Sequence, residues 1–174
     1  SRLSKMLVDE RERIVTLTGP GGTGKTRLAI EAAARVAPEI DDAVWFVPLA
    51  DVDDPDRILD VIRDVLGAPA GDLPAFDRVL ATLGTRSSLL VLDNFEQLLP
   101  AGATVIRSLV ASAPGLACLV TSRRVLGVSG ERELVVEPLA APSLVSGDTL
   151  KRLSHYESVQ LFVDRARAVR PDFQ

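Results

Sequence analysis

A chain of 174 residues, 47% hydrophobic and 25% charged, carries enough apolar material for one compact domain with the start of a second. Its net charge of −4 lacks the basic surplus of a nucleic-acid-binding domain, and no apolar run approaches the ~20 residues of a membrane-spanning helix. One cysteine, Cys118, excludes an intramolecular disulfide and suits a reducing compartment, and one histidine makes His-based metal sites and catalytic triads poor fits. With no signal-peptide pattern at the N-terminus, the expected location is cytoplasmic, away from any membrane.

Leu3, Met6 and Leu7 recur at helical spacing and predict a short helix over 2–9. Ile14–Thr18 reads as a buried first strand. A glycine-rich stretch follows, then a helix over 25–36 that stops before Pro38. Ala43–Pro48 predicts a second strand, in which Trp45 and Phe46 are expected to pack in the core or on a sheet face rather than to stack on bases. Asp54-Pro55 marks a helix start, with proline at the first helical position, and Ile58, Leu59, Ile62, Val65 and Leu66 repeat at helical spacing up to Gly67.

Residues 68–71 read as a loop, and 74–83 as an amphipathic helix with Phe76, Val79, Leu80 and Leu83 inward. Ser88–Asp93 is a third strand, continuously apolar as a strand covered on both faces should be. A helix over 103–112 precedes a fourth strand at 116–121, where Cys118 reads as a buried core thiol, and 133–136 predicts a fifth. The core is expected to end at 138, followed by a Pro-, Ser- and Gly-rich linker over 139–153 and a helical segment over 154–174. That segment opens with Ser154-His155-Tyr156-Glu157, which fits a capping box, and its helix runs to Val169 before Pro171. Strands alternating with helices predict the α/β class, a parallel sheet with helices on both faces.

The most specific stretch is Gly19-Pro20-Gly21-Gly22-Thr23-Gly24-Lys25-Thr26, which fits G-x-x-x-x-G-K-[ST] at every fixed position and lies between a strand and a helix. A triphosphate needs many donors close together with no side chains in the way. Gly19, Gly21, Gly22 and Gly24 let the backbone bring its N–H groups to the anion, with Thr23 among them. The helix that starts near Gly24 adds unpaired N–H groups and its positive dipole end. Lys25 is expected to reach the β- and γ-phosphates and Thr26 to offer its hydroxyl to Mg²⁺, with Arg27 beside them in the nucleotide site.

Leu89-Leu90-Val91-Leu92-Asp93 is an apolar strand ending in an acid, which reads as a Walker B element whose carboxylate holds Mg²⁺. One strand separates the two motifs in sequence, which resembles the class of P-loop proteins whose Walker B strand is the third; that class implies a strand four between strands one and three, with its exit pointing at the γ-phosphate. That exit is Thr121-Ser122-Arg123-Arg124, and Arg123 is assigned as the γ-phosphate sensor, with Arg124 the weaker choice. Asn94 stands where many P-loop ATPases place a glutamate. Its amide can orient water but cannot take up a proton, and Glu96 is the alternative catalytic group. Slow turnover follows as an expectation.

TLTGPGGTGKTRLA (16–29), SLLVLDNFEQLL (88–99), LVTSRRVLGVSGE (119–131), ELVVEPL (133–139) and ESVQLFVDRARAVRPDF (157–173) occur in one order. Together these blocks resemble the nucleotide-binding domain of STAND ATPases, related to NB-ARC domains, in the form found in large bacterial transcriptional regulators of the LuxR and SARP kinds. The resemblance implies a P-loop NTPase three-layer sandwich with strand order 5-1-4-3-2. It also implies ATP and ADP states that switch a multidomain regulator, with slow hydrolysis as the reset. By that pattern Lys25 and Thr26 are the Walker A pair, Asp93 the Walker B acid and Arg123 the sensor arginine.

Two segments of the pattern, an F-V-G-R-like one before the first strand and a G-L-P-L-A-like one in the helical domain, do not occur in these residues. The expectation is a piece of a longer regulator, whose partners are its own winged-helix, DNA-binding and repeat domains. The helix over 155–169 is then expected to dock on the core or to support nucleotide-dependent self-association.

Three other readings compete. A ring-forming ATPase motor would need fast turnover and an arginine finger, for which Arg132 is the only candidate. A binding module could hold nucleotide without turnover. A small-molecule kinase would need an acceptor site and an arginine-bearing lid, and a GTPase an N-K-x-D motif, none of which is found.

Overall fold

The computed structural model describes residues 2–8, 12–40, 43–69, 71–140 and 156–170. They divide into two compact units, 1–136 and 137–174.

The first unit is built on five parallel strands: β1 (Ile14–Thr18), β2 (Val44–Pro48), β3 (Ser88–Asp93), β4 (Leu116–Ser122) and β5 (Glu131–Val135). Their order is β2-β3-β4-β1-β5, the expected 5-1-4-3-2 read from the other edge. The fold is that of an α/β P-loop NTPase. Three central strands are buried almost throughout because helices cover both faces, so alternate residues of one strand feed different cores. In β3, Leu89 and Val91 join Val15, Leu17 and Leu119 under α1 (Arg2–Val8) and α2 (Lys25–Val36). Leu90 and Leu92 join Cys118 and Val120 on the opposite face. There they meet Ile58 and Ile62 of α3 (Ile58–Val65), Val79 and Leu83 of α4 (Ala75–Leu83), and Ile106 and Leu109 of α5 (Ala101–Ser112). Cys118 lies wholly inside this second core, where burial pushes its thiol up to about 12, and it stays an inert thiol at neutral pH.

The register delivers the site. Leu17 pairs with Thr121 and Thr18 with Ser122, while Leu92 pairs with Val120, so the exits of β1, β3 and β4 line up at one edge of the sheet. At the other edge Arg13 ties the sheet to α5, donating to the carbonyls of Val110, Ala113 and Leu116.

Some boundaries differ from those predicted. β5 starts at Glu131 rather than at 133, because its pairing follows the register with β1 and not its own apolar run. As an edge strand it keeps Arg132 and Glu133 exposed, charges that discourage further strand pairing. On the opposite edge strand, β2, Phe46 is 38% exposed on the sheet face, whereas Trp45 packs against the core with the Arg86 guanidinium 5.1 Å from its ring centroid. α5 begins at Ala101, two residues early, and α2 runs on into a 3-10 turn over Ala37–Ile40. Asp54 does cap its helix start, accepting from the Asp56 N–H at 3.0 Å.

In the second unit, α6 (Glu157–Val169) has Tyr156 as its N-cap and no side-chain cap. Glu157 therefore sits at the first helical position, not the third that a capping box needs, while Ser154 and His155 lie outside the described residues. The linker expected over 139–153 lies outside them too, except for residues 139 and 140. Among the described residues no helix is long and apolar enough to cross a membrane.

Candidate functional site

The chain leaves β1 through Gly19, whose φ is +148°, and a β-carbon there would stand 2.3 Å from the Val136 carbonyl oxygen. Only glycine permits that approach. At Gly24 φ is +85°, the left-handed turn that lets the loop double back into α2. No side chain caps the N-terminus of α2 and its first turn has no acid; instead it carries Lys25 and Arg27. Two cations at the positive end of a helix dipole are unfavourable by themselves and favourable around an anion. The Lys25 ammonium donates to the carbonyls of Gly19 and Pro20, both at 2.8 Å, which bends it over the loop it belongs to. Thr23 donates to the Pro20 carbonyl at 3.1 Å and tightens the same turn.

Below the loop, three strand and helix ends converge on one oxygen. Asp93 Oδ1 accepts from the Thr26 hydroxyl at 2.7 Å and from the Thr121 hydroxyl at 2.6 Å. Thr121 Oγ1 in turn accepts the Asn94 N–H at 3.0 Å, and its carbonyl accepts the Phe95 N–H at 3.0 Å. Thr121 is buried, and its hydroxyl fixes both the aspartate and the turn that follows it. The Thr/Ser pair at this strand exit is visible in the sequence, but the bond from Thr121 to Asp93 is not, because only the β3–β4 register makes the two residues neighbours.

The mouth is looser. Arg123 reaches across the loop: its Nη2 lies 3.8 Å from where a β-carbon on Gly21 would be. Its Nε pairs with Glu96 Oε1 at 3.0 Å, with side-chain exposures of 68% for the arginine and 21% for the glutamate. Arg124 turns elsewhere, towards the carbonyls of Glu96 and Leu99 at 3.4 and 3.3 Å, which makes it a brace for the 3-10 turn Glu96–Leu98. Arg132 pairs with Glu12 at 2.8 Å. Asn94 has φ +64°, a left-handed conformation that asparagine adopts more readily than most residues.

A cavity of about 450 Å³ opens here, lined by Gly21, Gly22, Gly24, Lys25, Thr26, Arg27, Asn94, Glu96 and Arg123. Its three cationic side chains outnumber the one acid, and a β-carbon on Gly22 or Gly24 would meet nothing within 4 Å, so the space beside the loop is open to a ligand. This donor set fits a polyphosphate. Thr26 and Asp93 offer hard oxygen ligands side by side, and no group of three or more His, Cys, Asp or Glu that could hold a metal alone exists among the described residues. A pair of protein oxygens completed by phosphates and water is how Mg²⁺ is usually held, so the site also fits that ion.

Known proteins resemble this chain in sequence and in fold. The chain is 39% identical over 163 residues to an uncharacterized protein of Mycobacterium tuberculosis, covering 93% of this chain and 38% of that protein. It is 38% identical over 166 residues to a candidate HTH-type transcriptional regulator of the same organism, covering 94% of this chain and 17% of the regulator. It thus spans well under half the length of either relative. The ORC2 protein of Aeropyrum pernix, solved in ADPNP–ADP complexes, superposes with a TM-score of 0.59 at 16% identity, over 80% of this chain and 47% of that one, a likeness of fold. A family model described as the AAA domain matches residues 8–120, which include the glycine loop, Thr26 and Asp93, and the chain belongs to that family as an AAA-type nucleotide-binding domain.

Proposed function

We propose that this domain is the ATP/ADP switch of a larger transcriptional regulator, of the STAND type, with slow ATP hydrolysis as its reset. One observation carries the reading: the Thr26 and Thr121 hydroxyls both donate to Asp93 and form a hydrogen-bonded floor, while Lys25 and Arg123 line the cavity beside it. A floor of this kind suits Mg²⁺, held by Thr26 and Asp93, which would neutralise charge on the β- and γ-phosphates. The backbone of Gly19–Gly24 binds the phosphates, Lys25 bridges β and γ, and Arg123 reads the γ-phosphate. In hydrolysis the water oxygen bonds to the γ-phosphorus as its bond to the β-phosphate oxygen breaks, leaving ADP and inorganic phosphate.

Slow turnover is supported by the residues around the water. Asn94, which follows Asp93 directly, has no proton-accepting carboxylate. The reading as part of a regulator is supported by the 38% identical relative named for transcriptional control. After γ-phosphate loss, the exit loop over 123–130 is the segment placed to respond. The Glu131 carboxylate holds it by accepting the N–H groups of Leu126 and Gly127 at 2.8 Å and of Val128 at 3.4 Å.

Calorimetric titration with Mg-ATP and Mg-ADP tests the proposal. Lys25→Ala should weaken ATP by about tenfold to a hundredfold, the scale of hydrogen bonds to a charged group. Turnover of the wild type should stay below about 1 s⁻¹, the lower end of ordinary enzymes. Unchanged ATP affinity in the variant would sink the nucleotide assignment, and faster turnover would favour a motor.

A further inference from the structure

We infer that Glu96 determines the preference between nucleoside triphosphate and diphosphate, by competing with the γ-phosphate for Arg123; this rests on the reading of Arg123 as the phosphate sensor. The two side chains come from different elements, Arg123 from the exit of β4 and Glu96 from the turn after β3. They meet at 3.0 Å on the rim of the cavity that the glycine loop lines.

The pair is asymmetric. Glu96 belongs to a turn pinned from several sides. Phe95 and Leu98 on either side are buried, and Leu98 N–H closes on the Phe95 carbonyl at 3.1 Å. Gln97 Nε2 donates to the carbonyls of Leu49 and Val52 at 2.6 and 3.1 Å, and Arg124 braces the turn through the carbonyls of Glu96 and Leu99. Arg123 is 68% exposed, and the end of its guanidinium already overhangs Gly21. In an exchange of partners the carboxylate stays and the arginine moves.

The chemistry sets the direction of that exchange. An exposed ion pair between single charges is weak. A γ-phosphate carries more charge and more acceptor oxygens, and offers the fork of arginine two parallel bonds. A diphosphate lacks the group that reaches Arg123 and leaves the pair intact. A triphosphate must break it, so its binding is weakened by the competitor while diphosphate binding is not.

The test is a double-mutant cycle on the 174-residue chain. Affinities for Mg-ADP and for a non-hydrolysable Mg-ATP analogue are measured for wild type, Glu96→Gln, Arg123→Ala and the double variant. Glu96→Gln should tighten the triphosphate analogue about two- to fivefold, the range of an exposed ion pair, and leave ADP unchanged. In the Arg123→Ala background the gain should vanish. An equal gain for both nucleotides, a gain that persists without Arg123, or no gain at all would overturn the inference. If Arg123→Ala alone leaves the ATP/ADP ratio as in wild type, the sensor reading falls and this inference with it. If that ratio collapses but Glu96→Gln behaves as wild type, Glu96 alone is refuted and the switch stands.

Discussion

Two carboxylates stand three residues apart at the same edge of the sheet and are held in different ways. Asp93 receives two hydroxyl donors, from Thr26 and Thr121, and Thr121 is buried at the end of a central strand. Glu96 meets a single guanidinium that is mostly in solvent. Breaking a buried bond strands a donor or acceptor and costs about 1–3 kcal/mol, whereas an exposed ion pair contributes about 0–1 kcal/mol. The first arrangement fixes an atom whatever is bound. The second can trade partners when a stronger anion arrives. A site that must hold a nucleotide and also report which nucleotide it holds needs both kinds of contact.

Substitutions in the floor should therefore register as stability, and those at the mouth as affinity. The largest loss is expected at Gly19→Ala. A β-carbon 2.3 Å from the Val136 carbonyl must displace backbone, together with the 2.7 Å bond from Val136 N–H to the Thr18 carbonyl. Destabilisation of about 3 kcal/mol is expected, read as a lower midpoint in urea. Thr121→Val keeps the shape but removes one donor to Asp93 and the acceptor for Asn94 N–H, for a loss of about 1–2 kcal/mol. Thr121→Ser should restore most of it. Glu96→Gln, by contrast, should change stability by less than about 0.5 kcal/mol. Equal losses for Thr121→Val and Glu96→Gln would erase the distinction between floor and mouth.

The floor was the more legible part in the sequence. GPGGTGKT between an apolar strand and a helix, and LLVLD ending in an acid, carry their chemistry in residue type and spacing alone. The central strands were legible for the same reason: a short continuous apolar run such as Leu89–Leu92 fits a sheet covered on both faces. Edge strands carry no such constraint, so β5 starts at Glu131, ahead of the apolar run from 133 that marks it in the sequence. Contacts that depend on register were out of reach. Nothing in the spacing of Thr121 and Asp93, or of Arg123 and Glu96, says that they touch; β3 and β4 must first be paired side by side. Arg124 adds a contact of the same kind: the sequence ranks it behind Arg123, but only the backbone exit shows its guanidinium turned to the carbonyls of Glu96 and Leu99 while that of Arg123 lies over the loop.

Asn94 offers the smallest and sharpest test. In sequence it looks like a missing catalytic acid. In the structure its φ of +64° supplies a second reason for asparagine, because a glutamate would have to adopt the same left-handed backbone. Asn94→Gly should leave stability within about 0.5 kcal/mol of wild type, since glycine accepts that φ freely. Asn94→Glu should lose about 1 kcal/mol, the cost of a left-handed residue with a β-carbon. Turnover then separates the two roles. If the residue serves only the turn that carries Phe95 and Glu96, Asn94→Gly hydrolyses ATP as wild type does. A fall of about tenfold or more, with the fold intact, would show that the amide itself orients the water, since general acid–base and positioning groups act on that scale and above. The chemical role would then belong to the Asn94 amide, and Glu96 and Arg123 would be left with recognition alone.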